Sequence, residues 1–409
     1  MYPTGILSVG FFIFILMERN YILIDTPGRD LLFPFTYTRP IAACRVGILT
    51  VQQKWEHRLK TPVSHFTADY LQQKFPLKKV ENAVNILING HILPDDPLIS
   101  KVQSLAIGEE LYKDNNLIAK VVEGNDLKAP VHRKRTNYKG EILSIDLPWH
   151  ITALNDKAIR QDFDLLTRGR TSHPLPPGNQ LIGDPAQLFI EEGASIEHCC
   201  LNTSTGPIYI GHNALLMEGS LVRGPLAIAD DAVLKMGTKI YGATTIGPAC
   251  IVGGEIKNVV LFGYSNKAHD GYLGDAVIGE WCNLGANTSG SNMKNNGSTV
   301  KVWMEAKNEA WPAGQKCGLL MGDYSRAGIH TMFNTGTVVS VSCNVFGGSF
   351  PPKFLPAFTW GGTGNVNERY RLEEALRDAA TWMSFKGKAI SSADILILKH
   401  IYNLGDSEK

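Results

Sequence analysis

The segment Ile210–Val252, IGHNALLMEGSLVRGPLAIADDAVLKMGTKIYGATTIGPACIV, carries the strongest periodic signal in the chain. A branched or long aliphatic residue returns at every sixth position, a period too long for one face of a helix and too regular for ordinary strands. Fixed periods of this kind are typical of repeat proteins whose units stack on one another. The period therefore predicts a left-handed parallel β-helix whose coils bury Ile210, Leu216, Val222, Ile228, Leu234, Ile240, Ile246 and Val252.

The hexad pattern extends on both sides of this segment. Upstream, Ile190 and Ile196 precede a loop near residues 203–207 that shifts the register. Downstream, the polar, lysine-rich stretch 293–316 is predicted to be an insertion, and a second train follows it. We therefore expect the β-helix to cover residues 180–350. The inward residues of its second train are Met321, Ala327, Phe333, Val339 and Val345.

The regions that flank the β-helix have different patterns. Residues 17–170 are predicted to form an α/β domain, because short aliphatic strands such as Tyr21–Asp25 occur with helix-like stretches such as Thr50–Leu59. A proline-rich link over 171–178 separates this domain from the coil. After the coil, residues 365–409 are predicted to form a helical cap, with helices over 367–385 and 391–402.

The first sixteen residues form an apolar leader, 1–16. The run is shorter than the roughly 18 residues needed to span a bilayer, and no lysine or arginine precedes it. Met17 opens a plausible alternative start, so we interpret the leader as the product of an upstream start codon chosen in error.

Composition excludes several classes of function. Forty basic residues nearly cancel 39 acidic ones, so no overall field would attract nucleic acid or an anionic membrane, and neither partner is predicted. The seven cysteines form no CxxC pair, which argues against a disulfide framework and a zinc site. These features predict a cytoplasmic protein.

The break between the two trains holds a group of polar residues: Lys239, Lys257, Asn266, Lys267, His269, Tyr272, Asn283 and Asn292. The motif SNKAHDGYLGDAVIG at 265–279, followed by NLGANT at 283–288 and Ser291-Asn292, resembles the acetyltransferase half of the bifunctional GlmU family. The likeness includes spacing, since a basic residue lies 30 positions before the histidine, a lysine 12 before and a tyrosine 3 after. It is greatest to the GlmU-like branch that carries a divergent transferase-like N-terminal domain.

The resemblance implies roles for these residues. His269 would be the general base that takes a proton from a sugar amine as the amine attacks acetyl-CoA, because imidazole can accept a proton near neutral pH. Asn283 and Asn292 would hold the sugar and its amine, and the Ala286 backbone would contact the acetyl-CoA carbonyl. The resemblance also implies a homotrimer in which neighbouring chains complete each site.

Two lysines and a tyrosine are expected to bind phosphate. Lys239 and Lys257 lie 18 residues apart, so in a coil of unbroken 18-residue turns one would stack directly above the other. The resemblance gives them, with Tyr272, the sugar phosphate. Lys239 stands where the family usually has arginine, and its ammonium lacks the bidentate fork of a guanidinium.

Structural explanations compete with these roles. A single histidine near strand ends is usually a surface residue, the lysines could be ordinary solvated side chains, and the asparagines could form turns or ladders. His330 follows a hexad position without a matching family role, so we interpret it as structural.

The N-terminal domain gives a weaker signal. Sugar nucleotidyltransferases place a glycine-rich loop after their first strand, and the corresponding stretch 24–40 lacks it, although Arg29 or Arg39 could face phosphate. His91 stands where an aspartate would hold Mg²⁺, so the metal ligands are unknown. An active uridylyltransferase, a domain that only binds nucleotide or sugar, and a structural domain are all left open.

The predicted fold class is thus an α/β nucleotidyltransferase-like domain, a left-handed parallel β-helix and C-terminal helices. The predicted activity is acetyl-CoA-dependent N-acetylation of glucosamine-1-phosphate, coupled to UTP-dependent formation of UDP-N-acetylglucosamine with Mg²⁺ where the N-terminal domain is active. Acetylation of another amino sugar or sugar nucleotide is the alternative within the same chemistry. A trimeric scaffold without catalysis is the alternative from another class.

Overall fold

A computed structural model of the chain describes residues 18–78, 80, 84–124, 126–127, 134–363 and 366–407. The predicted leader, residues 1–16, lies outside the described residues. Among the described helices, none combines the length and apolar character that crossing a membrane requires.

The N-terminal domain is built on a mixed sheet with the strand order β2-β1-β3-β6-β5-β7. β1 pairs in parallel with β2 and β3, and β6 pairs antiparallel with β3 and β5. The strands are β1 Arg19–Ile24, β2 Ser64–Phe66, β3 Val84–Asn89, β4 Ile92–Leu93, β5 Glu109–Lys113, β6 Asn116–Glu123, β7 Lys134–Asn137 and β8 Leu143–Ser144.

Helices pack on this sheet and lead to the coil. The first begins where the sequence signals it, because the Thr50 side chain accepts from the Gln53 N–H and the Gln53 side chain accepts from the Thr50 N–H, which satisfies both donors. The helices are α1 Val51–Leu59, α2 Asp96–Gln103, α3 His150–Ala153 and α4 Asn155–Thr167. Short 3-10 turns occur at Pro27–Leu32, Phe35–Tyr37, Ile41–Ala43, Asp69–Leu71, Pro185–Gln187 and Glu305–Lys307.

The middle of the chain forms the predicted left-handed β-helix, with three parallel ladders as its faces. The hexad residues point inward, and those of both trains are buried, from Ile210 to Val252 and again from Met321 to Val345. Each coil buries its aliphatic residue against the next coil, as expected for a solenoid. The predicted fold class is confirmed.

Face 1 is the ladder that packs on the N-terminal domain: β10 Leu188–Ile190, β13 Ile208–Ile210, β16 Leu226–Ile228, β19 Thr244–Ile246, β22 Val260–Gly263, β25 Val277–Glu280, β30 Leu320–Met321, β33 Val338–Val339 and β35 Phe354–Leu355. Face 2 is the ladder of β11 Ser195–Ile196, β14 Leu215–Leu216, β17 Val233–Leu234, β20 Ile251–Val252, β23 Asn266–Lys267, β26 Asn283–Leu284, β31 Arg326–Ala327, β34 Asn344–Val345, β36 Thr359–Thr363 and β37 Val366–Arg369. Face 3 is the ladder of β9 Gln180–Ile182, β12 Cys200–Asn202, β15 Leu221–Arg223, β18 Lys239–Tyr241, β21 Glu255–Lys257, β24 Tyr272–Gly274, β27 Ser289–Gly290 and β32 Met332–Phe333.

Two further elements pack beside the coil. A hairpin of β28 Lys301–Met304 and β29 Glu309–Pro312 projects from the coil between β27 and β30, and its Val300, Val302 and Met304 join the core under the N-terminal domain. The helices α5 Leu372–Ser384 and α6 Ser392–Ser407 pack near face 2, where Arg326 donates to the Asp378 carbonyl. The first helix begins five residues later than predicted, because residues 366–369 pair antiparallel with β36.

A buried ion-pair cluster joins the N-terminal domain to face 1. Arg39 pairs with Asp323 and, at 2.9 Å, with Glu280, while Thr38 donates to Asp323 at 2.6 Å. Burial raises the pKa of Glu280, but the cations Arg39, Lys74 and Arg45 together outweigh burial and hold that pKa below its usual value. Nearby, Arg45 donates to the Phe262 carbonyl at 2.9 Å. The two domains therefore share polar contacts as well as one apolar core.

Removing the cation of this cluster should destabilise the protein strongly. We expect Arg39→Met to lower the free energy of unfolding by about 3–5 kcal/mol, because it leaves the buried Asp323 carboxylate without its cation. Arg168→Met is the matched control: Arg168 is exposed and lies 3.9 Å from Asp96, so a change within about 0.5 kcal/mol is expected. Urea unfolding measures both, and equal losses would contradict the role given to Arg39.

Candidate active site

His269 lies at a corner of the coil, residues 268–271, which links β23 on face 2 to β24 on face 3. Its side chain is exposed and makes no hydrogen bond to a described residue. The corner of the preceding coil contains Gly253 and Gly254. A Cβ at Gly254 would lie 2.9 Å from the His269 carbonyl oxygen, and one at Gly253 would lie 2.6 Å from the Ala268 oxygen. The two glycines therefore let the 268–271 corner pack directly on the coil below.

The coil is shortened beneath this corner. On face 3, Val222 pairs with Ile240 eighteen residues later, but Ile240 pairs with Ile256 only sixteen residues later. Lys239 therefore pairs with Glu255, and Lys257 pairs with Tyr241. The predicted stacking of Lys239 directly on Lys257 is wrong, because that prediction assumed 18-residue turns throughout.

Two columns of outward side chains result on face 3. The first column, Lys239, Glu255 and Tyr272, follows the strand ends nearest to the 268–271 corner. The second column, Tyr241, Lys257 and Gly274, lies two residues farther along the same strands. Adjacent strands are about 4.8 Å apart, so both lysines stay within one site although they do not stack.

A hydrogen bond connects the two columns. Tyr241 donates to Glu255 at 2.6 Å, and the Lys257 ammonium lies 5.3 Å from the centroid of the Tyr241 ring. Glu255 thus stands between a cation and two phenols, a position that sequence reasoning missed because a single glutamate on a coil face gives no signal of its own.

Tyr272 and Asn292 complete face 3 near the corner. Burial raises the pKa of Tyr272 to about 12, with further contributions from Tyr241, Asp275 and Glu255, so its phenol stays protonated and can donate. Gly274 lets this hydroxyl lie close to the backbone, since a Cβ there would be 2.3 Å from it. Asn292 donates to Asp275, which fixes the amide at the far side of the second column.

The remaining predicted residues lie on the other side of the corner. Asn283 is on face 2 between Asn266 and Arg326. Its side-chain amide makes no hydrogen bond to a described residue, whereas its backbone N–H donates to the Ser325 carbonyl. Ala286 lies in the corner of the next coil, where its carbonyl accepts from the His330 N–H at 2.7 Å. The Ala286 N–H makes no hydrogen bond within the described part of the chain. The corner therefore has polar groups on both of its sides.

Lys267 is the unexpected residue of the site. It occupies an inward position, in register with Val252 of the coil below, and its side chain is 0% exposed. Its ammonium donates to the His269 and Asp270 carbonyl oxygens, the second at 3.0 Å. An internal lysine therefore holds the backbone that carries His269. The signal in the sequence was a charged residue six positions before the buried Leu273.

The charge of Lys267 should lower stability rather than raise it. Burial lowers its pKa to about 8, whereas an unfolded lysine has a pKa near 10.4. Between these values the unfolded chain binds more protons than the folded chain, so this group makes stability rise with pH from about 8 to 10.4. Below pH 8 both states are protonated, and the cost of burying the charge is fully present.

We expect Lys267→Met to be as stable as the wild type at pH 7 or more stable, by up to about 2–3 kcal/mol, since an apolar side chain removes this cost. The difference should shrink as the pH rises from 8 to 10. Hydrogen exchange over residues 264–274 should nevertheless become faster, because two carbonyls lose their donor. Lys235→Met, at an earlier corner, is the control. A large loss of stability with unchanged exchange would contradict this account of Lys267.

The N-terminal domain has a separate cleft of about 690 Å³ at the carboxyl ends of β1 and β3. His91 lies in its wall, 3% exposed, with both ring nitrogens in use: Nδ1 donates to the Ile145 carbonyl and Nε2 accepts from the Thr26 hydroxyl, each at 2.8 Å. Asp25 accepts from Thr67 and from the Ile41 N–H, and burial raises its pKa. These groups are committed to the protein itself.

The cleft wall contains the carboxylates of Asp25, Asp114 and Asp146, but the residue at position 91 does not supply the Mg²⁺ ligand expected there. No group of three or more histidine, cysteine, aspartate or glutamate side chains that could hold a metal occurs among the described residues. Mg²⁺ is usually bound through one or two carboxylates with near-octahedral geometry, and at the predicted ligand position His91 has no free nitrogen.

Arg29 and Arg39, the two arginines predicted to bind the nucleotide phosphate, do not come together in this cleft. Arg39 is buried in the domain interface with Asp323 and Glu280, so the structure does not place it where it could face phosphate. Arg29 is buried beside the cleft, where it donates to Tyr70 at 2.6 Å and pairs with Asp25 at 3.3 Å. Local sequence could not reveal these partners, because most of them lie far away in the chain.

Comparison with known proteins gives matches to a nucleotidyltransferase family model and to bifunctional GlmU proteins. A family model described as sugar nucleotidyl transferase matches residues 21–171. The bifunctional protein GlmU of Methanocaldococcus jannaschii is 34% identical over 89 residues, which are 22% of this chain and 21% of the relative. That of Rippkaea orientalis is 26% identical over 200 residues, 43% of this chain and 44% of the relative.

Solved structures are also similar. The polysialic acid-specific acetyltransferase NeuO is 12% identical, with a TM-score of 0.26 over 51% of this chain and 94% of its own. The Arabidopsis UDP-N-acetylglucosamine acyltransferase is 14% identical, with a TM-score of 0.23 over 54% of this chain and 85% of its own.

The chain spans less than half the length of the curated relatives it matches. The similarity to those relatives and the family model over the N-terminal domain agree with the α/β domain and the six-residue coil described above. These matches support the resemblance of the chain to GlmU-like hexapeptide-repeat proteins.

Proposed function

We propose that the coil domain transfers an acetyl group from acetyl-CoA to the amino group of glucosamine-1-phosphate. The observation that carries this proposal is the 268–271 corner, where an exposed imidazole that bonds to none of the described residues stands beside the Lys239, Glu255 and Tyr272 column. The resemblance of these residues to the GlmU motif supports the choice of substrate class.

Each group has a chemical task in this proposal. His269 takes a proton from the amine as its nitrogen attacks the thioester carbonyl, so that the C–N bond forms and the C–S bond then breaks to release the coenzyme A thiolate, which is protonated. Lys239 and Lys257 bind the sugar phosphate from adjacent strands, and Tyr272 donates to it. Asn283 and Asn292 orient the sugar, while the Ala286 N–H donates to the thioester oxygen as negative charge develops on it.

The N-terminal domain has a different role in this proposal. Because His91 stands in place of the expected Mg²⁺ ligand and Arg39 is held in the domain interface, we propose no uridylyl transfer there, and we interpret the domain as a binding and structural partner of the coil. Pyrophosphate release from UTP with the acetylated sugar phosphate tests this interpretation, and release by the wild type with Mg²⁺ would overturn it.

A cytoplasmic homotrimer stays part of the proposal. The N-terminal domain covers face 1, and the C-terminal helices pack near face 2, while face 3 exposes Leu221 at 53% and Met332 at 41%. Exposed apolar residues on one face are typical of an interaction surface. Sedimentation velocity at several protein concentrations measures the oligomeric state.

Loss of the imidazole should abolish most of the activity. We expect His269→Ala to reduce coenzyme A release with glucosamine-1-phosphate by at least about a hundredfold, the usual contribution of a general base. His198→Asn is the matched control, because His198 lies at the same edge of an earlier coil and asparagine tolerates its positive φ of 50°. An unchanged rate for His269→Ala would rule out this mechanism.

A further inference from the structure

A second cavity, of about 520 Å³, lies between the two domains. One wall is formed by α3 and the start of α4 in the N-terminal domain, and the other by the corner that links face 3 to face 1. A volume of this size is typical of pockets that bind small molecules. The charged and aromatic residues of its wall include Trp149, Asp156, Arg223, Tyr241, Asp275 and Lys316.

This interdomain pocket continues the groove of the proposed acetyltransferase site. Tyr241 pairs with Lys257 in the ladder and is also in the pocket wall. Asp275, also in that wall, accepts the hydrogen bond from Asn292. From Tyr272 to Asp275 the chain advances three residues, or roughly 10 Å along the strand. A ligand with its amine at His269 and its phosphate near Lys257 would therefore point toward the pocket.

The charges of the pocket favour an anion. Both carboxylates in its wall have partners: Asp156 pairs with Arg160 at 2.7 Å, and Asp275 accepts from Asn258 at 3.2 Å as well as from Asn292. The two cations, Arg223 and Lys316, form no ion pair within the described part of the chain. The neutral amides leave the negative charge of Asp275 in place, so the wall carries two unpaired cations against one unpaired carboxylate. The net charge is positive, which favours a phosphate group.

The aromatic residues of the pocket indicate what else the anion carries. Trp149 from the N-terminal domain and Tyr241 from the coil are both partly exposed in the wall. Flat aromatic faces beside a phosphate-binding cation are typical of sites that stack a nucleic acid base.

We propose that the interdomain pocket binds the nucleoside diphosphate portion of a nucleotide-linked amino sugar whose amine reaches His269. The inference rests on the proposed acetyl transfer and extends its acceptors from a sugar monophosphate to a sugar nucleotide. Arg223 and Lys316 bind the phosphate beyond the one held by Lys257, and Trp149 contacts the base. The N-terminal domain thereby contributes to substrate selection through its surface rather than through its own cleft.

Binding of UDP to the full chain tests the pocket directly. Quenching of tryptophan fluorescence and calorimetry measure the dissociation constant for the wild type, Arg223→Gln and Lys316→Gln. We expect each substitution to weaken binding about tenfold or more, since charge-assisted hydrogen bonds are lost. Both side chains are exposed, so folding should be preserved. Lys113→Gln, in the N-terminal cleft, is the control and should leave binding unchanged.

Three outcomes would overturn the pocket proposal: no UDP binding, binding that both substitutions leave unchanged, or binding that only Lys113→Gln removes. A second assay compares acetylation of UDP-glucosamine and glucosamine-1-phosphate. We expect a higher kcat/KM for UDP-glucosamine. Arg223→Gln should lower kcat/KM for UDP-glucosamine and leave kcat/KM for glucosamine-1-phosphate unchanged. If neither acceptor is acetylated while UDP still binds through Arg223 and Lys316, the proposed acetyl transfer fails and the pocket stands.

Discussion

The parallel hydrogen-bonded ladders are the constraint on which the rest of the structure depends. Each coil must place one aliphatic residue inward above that of the coil below, so the ladder fixes which outward residues become neighbours. Corners between faces are free to change length, and each change shifts the outward side chains relative to those of the coil below. The coil that ends at Ile256 is two residues shorter than the preceding one on face 3, and this shift places Glu255 between Lys239 and Tyr272. The candidate site therefore results from the short corner Gly253-Gly254, which lies beneath the longer corner 268–271.

Lys267 is the exception to the aliphatic interior, and its position explains why it is tolerated. A buried ammonium is costly unless hydrogen bonds compensate for lost water, and two carbonyls of the 268–271 corner supply them. Those carbonyls belong to His269 and Asp270. The free energy that burial of the ammonium costs is therefore accompanied by a fixed backbone at the site. Proteins commonly place such destabilising groups where function requires a fixed geometry. The inward lysine and the outward imidazole are thus two parts of one arrangement.

Much of the fold could be predicted from the sequence because the six-residue period reports a local property that every coil repeats. The resemblance to the GlmU motif, rather than the period, grouped His269, Tyr272 and both lysines, and all four lie at or beside the 268–271 corner. Sequence reasoning failed for the stacking of Lys239 on Lys257, since the number of residues per turn depends on corners that the hexads do not record. It also misplaced Arg39, whose partners Glu280 and Asp323 lie more than 240 residues away in the chain. Docking of one domain on another depends on such distant contacts, and no local pattern reveals them.

In the proposed function, the docking of the N-terminal domain gives that domain a role that does not require catalysis of its own. Its arginines hold it against face 1, and the same contact brings α3 and α4 to the edge of face 3, where Trp149 and Tyr241 line one cavity. In the domain's own cleft, by contrast, the His91 and Asp25 side chains are both engaged in hydrogen bonds to other groups of the domain. A domain that retains an α/β sheet yet commits its cleft residues to internal hydrogen bonds can still shape a neighbouring groove. The physical reason is that a rigid, ion-paired interface holds an aromatic wall at a fixed distance from the coil, which a flexible loop could not do.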